Sequence, residues 1–225
     1  MRHSAIGLSV AFAAVILSAF ALGGARAGEG TGMTLLQAVT AGDVAAVKAA
    51  IAAGAPLDAR DAAKRTPLLL ATRANHVDIA RLLIAAGADV NAKDNIRDTP
   101  FLYAGAEGRN DILKAILATG RANLRDTNRY GGVALIPAAH HGHPETVRIL
   151  LATAINVDHV NNLGWTALIE AVILGDGGPL YQEIVGLLVD AGAENIPDRD
   201  GVTPLEHARR MGFDEIAERI AAGPR

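Results

Sequence analysis

His140, His141 and His143 are the residues of this chain that most invite a chemical reading. Imidazole nitrogens are common ligands for zinc, copper and iron, so a close group of histidines raises the question of a metal site. Adjacent helix residues point about 100° apart, however, and His140 and His141 do not converge easily on one ion. They are expected to be exposed histidines available for contact with a partner. Asp176-Gly177-Gly178 has the look of the start of an acidic metal loop. Calcium takes six to eight oxygen ligands, and one aspartate supplies too few. The two glycines are expected to let the chain turn, with Pro179 starting a helix. Glu170 and Glu206 read as solvated or capping carboxylates, since nothing marks them as an acid/base pair. The chain has no cysteine, hence no thiol nucleophile, no disulfide and no lipid-modified cysteine. It has no G-x-S-x-G, no H-E-x-x-H and no phosphate-binding glycine loop. No catalytic, cofactor-binding or metal residue is assigned, and the chain is not expected to be an enzyme.

The elements that position these residues follow from the stretch Arg65 to Asp94. Thr66-Pro67 reads as a helix start, because a threonine hydroxyl can cap free backbone N–H groups and proline is pre-shaped for the first helical position. Leu68, Leu70 and Ala71 are expected to form that helix's apolar face. Asn75 tolerates the left-handed conformation needed where a helix stops. Val77, Ile79, Ala80, Leu82 and Leu83 form the stripe of a second helix, which Gly87 ends. Neither helix is long enough to be stable alone in water. The unit needs neighbours, and it has them. Thr66, Asn75 and Gly87 recur 33 residues later as Thr99, Gly108 and Gly120, with Pro100 again following the threonine.

A 33-residue period with T-P-L at the helix start resembles the ankyrin-repeat family. The resemblance implies an all-α ankyrin-repeat solenoid of about six helix-turn-helix units with β-turn fingers. The units read as 33–61, 62–94, 95–127, 128–161, 162–198 and 199–225, one repeat domain in all, with alanine-rich and polar outer helices serving as caps at its two ends. The first lacks the Thr-Pro start. In the third, Phe101, Tyr103 and Ala104 are expected on the first-helix face, and the exit GRANLRD departs from the family pattern G-A-D-x-N. The fourth begins with TNRYGG and has Val133-Ala134-Leu135 in place of T-P-L, which should cost on the order of 1 kcal/mol in lost capping. Its second helix ends at Ala154 where other units have glycine. The fifth carries an insertion at 175–182, GDGGPLYQ, expected as a surface loop. In this family the histidine of the G-H pair is structural, which is the role implied for His76 and His143.

The words NRYGG, ALIPAA and HVNNLGWTAL, together with GDGGP, are similar to a bacterial subfamily of exported ankyrin-repeat proteins. Some of its members are associated with peroxide defence alongside a catalase. The resemblance therefore implies two functions. One is a periplasmic scaffold for protein–protein interaction. The other is an accessory factor for peroxide defence that supports a catalase or handles a metal or haem cofactor.

The N-terminus carries Arg2, an uncharged run from Ser4 to Ala25 and the small-x-small site Ala25-Arg26-Ala27. This is the pattern of a secretory signal peptide over 1–27, cleaved after Ala27, with 28–32 as a flexible lead-in. The apolar run is also long enough to be retained as a membrane anchor. Without those 27 residues, 19 basic side chains stand against 24 acidic ones, a formal charge of −5. Nucleic acid is not an expected partner. The expectation is a periplasmic monomer that binds another protein, with no cofactor and no membrane contact after cleavage.

Repeat positions face the same way in every unit, so the contact surface can be proposed by register. It comprises Arg65 and Arg73, then Asp98 and Glu107, then Arg129, Tyr130, His140 and His141, and finally Leu163, Trp165 and Leu174. Tyr130 and Trp165 sit at successive turn tips. Their rings are expected either to anchor a partner or to pack against the neighbouring finger.

Overall fold

The computed structural model describes residues 33–223. The expected signal sequence and lead-in, residues 1–32, lie outside the described residues. Twelve α-helices and no strands are found among the described residues, and they pair into six units. The first helices of the units are α1 (Leu35–Ala41), α3 (Pro67–Arg73), α5 (Pro100–Ala106), α7 (Leu135–His140), α9 (Ala167–Ile173) and α11 (Pro204–Met211). The second helices are α2 (Val44–Ala52), α4 (Val77–Ala86), α6 (Asn110–Ala118), α8 (Pro144–Leu151), α10 (Pro179–Asp190) and α12 (Asp214–Ala221). Each first helix packs on the first helix of the next unit, and each second helix on the next second helix, giving two layers. The apolar residues between the layers form one continuous cluster from Leu35 to Ile220. Helices this short hold only because each buries its apolar side against a neighbour.

The threonine starts work as capping chemistry requires. The hydroxyls of Thr34, Thr66, Thr99, Thr166 and Thr203 accept from the backbone N–H three residues on. Pro67, Pro100 and Pro204 occupy the first turn. The first unit lacks the proline but keeps the threonine cap, and Gln37 completes a capping box with Thr34. The fourth unit has no side-chain cap, and its α7 is the shortest helix, with six residues. Pro137 is its third residue, where the missing N–H would have had no partner inside the helix. Close packing supports this helix instead. A Cβ on Gly105 of α5 would lie 2.9 Å from the Ala134 Cβ, so glycine is what lets α5 and the start of α7 approach.

Between the helices of the third unit, Gly108 adopts φ +64, and the imidazole of His143 from the next unit comes within 3.1 Å of where its Cβ would be. Gly42 and His76 repeat this arrangement two units earlier. The structural role implied for the two histidines is thus a ring laid on the preceding unit's inter-helix turn. Asn75 takes the left-handed conformation at φ +55.

Two placements differ from the expected core. Leu69 is fully buried while Leu70 is half-buried, and Tyr103 is half-buried where a core position was expected. The residue four after the capping threonine turns out of the inter-layer core toward the face shared by first helices and fingers. The insertion also differs. Only its first half is a loop, in which Asp176 Oδ1 accepts from the Gly178 N–H at 2.8 Å. Pro179 then starts α10, and the rest of the insertion lengthens that helix to 12 residues. Tyr181 in this added turn donates its hydroxyl to the His140 carbonyl at 2.8 Å, tying the fifth unit to the fourth.

The fingers share one device. Asp61, Asp94, Asn128, Asn161 and Asp198 each use Oδ1 to accept from the backbone N–H groups two and four residues on. These Asx turns present the finger-tip residues in a fixed orientation. Successive fingers are joined by Asn95 N–H to Ala63 O at 3.0 Å and Asn162 N–H to Tyr130 O at 2.9 Å.

Candidate functional site

Where the third, fourth and fifth units meet, their fingers and first helices enclose a cavity of about 390 Å³. Nine of the eleven proposed contact residues line it: Asp98, Glu107, Arg129, Tyr130, His140, His141, Leu163, Trp165 and Leu174. Arg65 and Arg73 do not. Arg65 is bound at 2.7 Å to Asp61 of its own finger. Arg73 stands behind the wall, with its guanidinium 4.5 Å from the Tyr103 ring centroid and 3.6 Å from Asp98.

Tyr103, Pro137, Asn161 and Glu170 also line the cavity and were not among the contact residues expected from register. Three of them share one position. Tyr103 and Glu170 follow their capping threonines by four residues, and Pro137 follows Val133, which stands in the threonine's place, by the same interval. Had that position been assigned to the finger side, all three would have been found. Glu170 is the main correction. It is 6% exposed rather than solvated, and Asn161 Nδ2 donates to its Oε1 at 2.8 Å. Glu206, by contrast, caps α11 with Thr203, as expected for a capping carboxylate.

The electrostatics follow from burial. Burial raises the Glu170 carboxyl from its ordinary 4.5 to about 6, against the opposing pull of the Asn161 hydrogen bond and of the nearby His141. The Asp98 carboxyl is also raised, first by burial and then by the charge of Asp94, despite Arg129 and Arg73 nearby. His140 Nδ1 lies 3.5 Å from Glu170 Oε2. Burial, and then the charge of His141, lowers the His140 imidazole from its ordinary 6.5, so near pH 7 this contact joins a neutral ring to a carboxylate.

His141 Nδ1 is committed to the Ala106 carbonyl at 2.7 Å, and the His143 ring lies on Gly108. No group of three or more His, Asp or Glu side chains is arranged to hold a metal ion among the described residues. What the cavity offers is rings, carboxylates and a rim of exposed apolar groups. Tyr130, Leu163 and Leu174 are 52%, 47% and 41% exposed, and Trp165 is half-buried. Arg129 is stacked 4.6 Å above the Tyr130 ring. The chain's one tryptophan and two of its three tyrosines meet here.

Comparison with known proteins bears on the same repeats. A family model of ankyrin repeats in three copies matches residues 16–94, 35–128 and 101–196. The ankyrin repeat protein YahD of Escherichia coli (strain K12) is 50% identical over 106 residues, 46% of this chain and 53% of that protein. The chain thus spans about half the length of the curated relative it matches. Among solved structures, the ankyrin repeat domain ABAYE2397 from Acinetobacter baumannii AYE is similar with a TM-score of 0.81 at 55% identity, covering 83% of this chain and 95% of that one. The ankyrin repeat protein EF0377 gives a TM-score of 0.83 at 41% identity, covering 86% and 98%. The ankyrin repeat domain of Bcl-3, a member of the IκB family, gives 0.75 at 28% identity, covering 83% and 84%. With its 33-residue period, its threonine-capped first helices and these matches along most of its length, the chain belongs to the ankyrin-repeat family.

Proposed function

We propose that this protein is a scaffold that binds another protein through the cavity of its third to fifth units and has no catalytic activity of its own. The observation that carries this reading is the gathering of Trp165, Tyr130, Tyr103 and Arg129 in one recess. Binding energy in protein interfaces concentrates in tryptophan, tyrosine and arginine set in well-packed pockets. Here those residues stand on short, doubly packed helices and Asx-locked fingers, so little ordering is required when a partner arrives. The signal pattern at residues 1–27 supports a protein that works in the bacterial periplasm. The test is a pull-down from periplasmic extract with the full chain and with a W165A/Y130A variant. A partner captured by the first and lost by the folded second supports the scaffold reading. Equal capture by both overturns it for this cavity.

A further inference from the structure

The scaffold reading of this cavity can be taken one step further, to the chemistry of what enters it. Asp98, Glu107 and Glu170 bring three carboxylates to the cavity, against a single arginine, Arg129. Both arginines nearby are already engaged, Arg129 over Tyr130 and Arg73 over Tyr103. Each tyrosine therefore carries a guanidinium from the chain itself. Trp165 carries no such cation and stacks on no ring among the described residues. Tryptophan is the ring to which a cation binds best. Glu107 has no ion-pair partner among the described residues. Glu170, 94% buried, engages Asn161 through Oε1 only. Its Oε2 receives no hydrogen bond among the described residues, with His140 Nδ1 its near neighbour at 3.5 Å.

The occupant must satisfy that pattern. An acidic group would meet three carboxylates. An apolar group would seal Glu170 Oε2 from water without a donor, which is costly for a buried charged oxygen. A basic side chain supplies the missing donor and a flat or methylene surface for the ring. At about 390 Å³ the space suits one long side chain and its backbone. We propose that the cavity receives an arginine side chain of the partner protein, its guanidinium meeting the Glu170 carboxylate and its plane lying on Trp165, while Glu107 and Asp98 add negative charge to the wall. Arginine is preferred over lysine because its planar fork can pair with a carboxylate while it stacks on an aromatic face.

Trp165 is the only tryptophan, so its fluorescence in the full chain reports this site alone. The probes are short glycine–serine peptides with a central arginine, citrulline, leucine or glutamate, and agmatine as the side chain without a peptide. The arginine peptide should change the emission saturably and bind about tenfold or more tightly than the citrulline peptide. E170Q, which keeps shape and removes charge, should weaken it about tenfold, E107Q should weaken it less, and added salt should weaken it further. No saturable change with the arginine peptide overturns the proposal, as does equal binding of the citrulline or leucine peptide. Agmatine binding as tightly as the arginine peptide overturns the protein source and assigns the site to a free cation. The scaffold reading is judged separately, by whether the captured partner depends on Trp165 and Tyr130.

Discussion

Asn161 Nδ2 donates to Glu170 Oε1 at 2.8 Å, and one unit later the same register is filled with the opposite polarity, His207 Nε2 lying 2.7 Å from Asp198 Oδ2. Both pairs tie the Asx turn of a finger to the first helix behind it. In the sixth unit a histidine meets a carboxylate on the finger, and its hydrogen bond lowers the Asp198 carboxyl. In the fifth unit the carboxylate has moved to the helix, where it is buried and raised to about 6. The fifth unit thus keeps the link between finger and helix while turning an acid toward the cavity.

That burial gives stability a pH signature. The folded carboxyl of Glu170 is raised to about 6 from its ordinary 4.5, so between these values the unfolded chain has released a proton that the folded chain still holds. The contribution is fully present below about pH 4.5, is lost as pH rises through about 6, and is flat above. The loss should be on the order of 1 to 2 kcal/mol. E170Q can still accept from Asn161 but cannot ionise. Urea midpoints for both proteins should converge at the acid end of this window, with E170Q the more stable near pH 7. Parallel profiles would contradict the burial of a titrating Glu170.

Gly108→Val should destabilise the protein by about 2 kcal/mol or more. It forces a β-branched residue to φ +64 and drives its Cβ against the His143 ring. An unchanged denaturant midpoint would contradict the left-handed turn after α5.

The fold was legible because its signals are local and repeated. Thr66-Pro67 and Thr99-Pro100 announce helix starts through cap chemistry alone, and Gly108 marks a backbone conformation that other residues avoid. Leu70 and Tyr103 were misplaced for a related reason. In a helix of only seven residues, a shift of one position moves a side chain from the inter-layer core to the finger side, and apolar character does not distinguish the two. The nine cavity residues could be proposed by register, since a repeat fixes their direction. Glu170 could not be recognised as buried, because its burial depends on Asn161 and on the fourth unit's α7, which come from other parts of the chain. The added turn of α10 was likewise hidden, since GDGGP reads as loop and the contact that holds Tyr181 lies in another repeat.

Tyr181→Phe removes the hydrogen bond to the His140 carbonyl while keeping the ring. A loss of about 1 kcal/mol is expected, together with faster amide hydrogen exchange at the start of α10. Unchanged stability and exchange would mean that the added turn is not held by this contact.

Export is checked by mass. The native protein should lack residues 1–27, with Gly28 as its first residue. A mass that retains Met1 to Ala27 would support a membrane anchor in place of a cleaved signal.

Trp165 and Tyr130 are at the centre of the proposed interface, and one paired measurement addresses them most directly. Partner affinity and thermal stability are read on the same samples of the full chain, W165A and Y130A. Each substitution should weaken binding by about 2 kcal/mol or more while leaving the melting temperature nearly unchanged. Affinity that holds while stability falls would show that the rings only pack between fingers, and would contradict the cavity as the place where the partner binds.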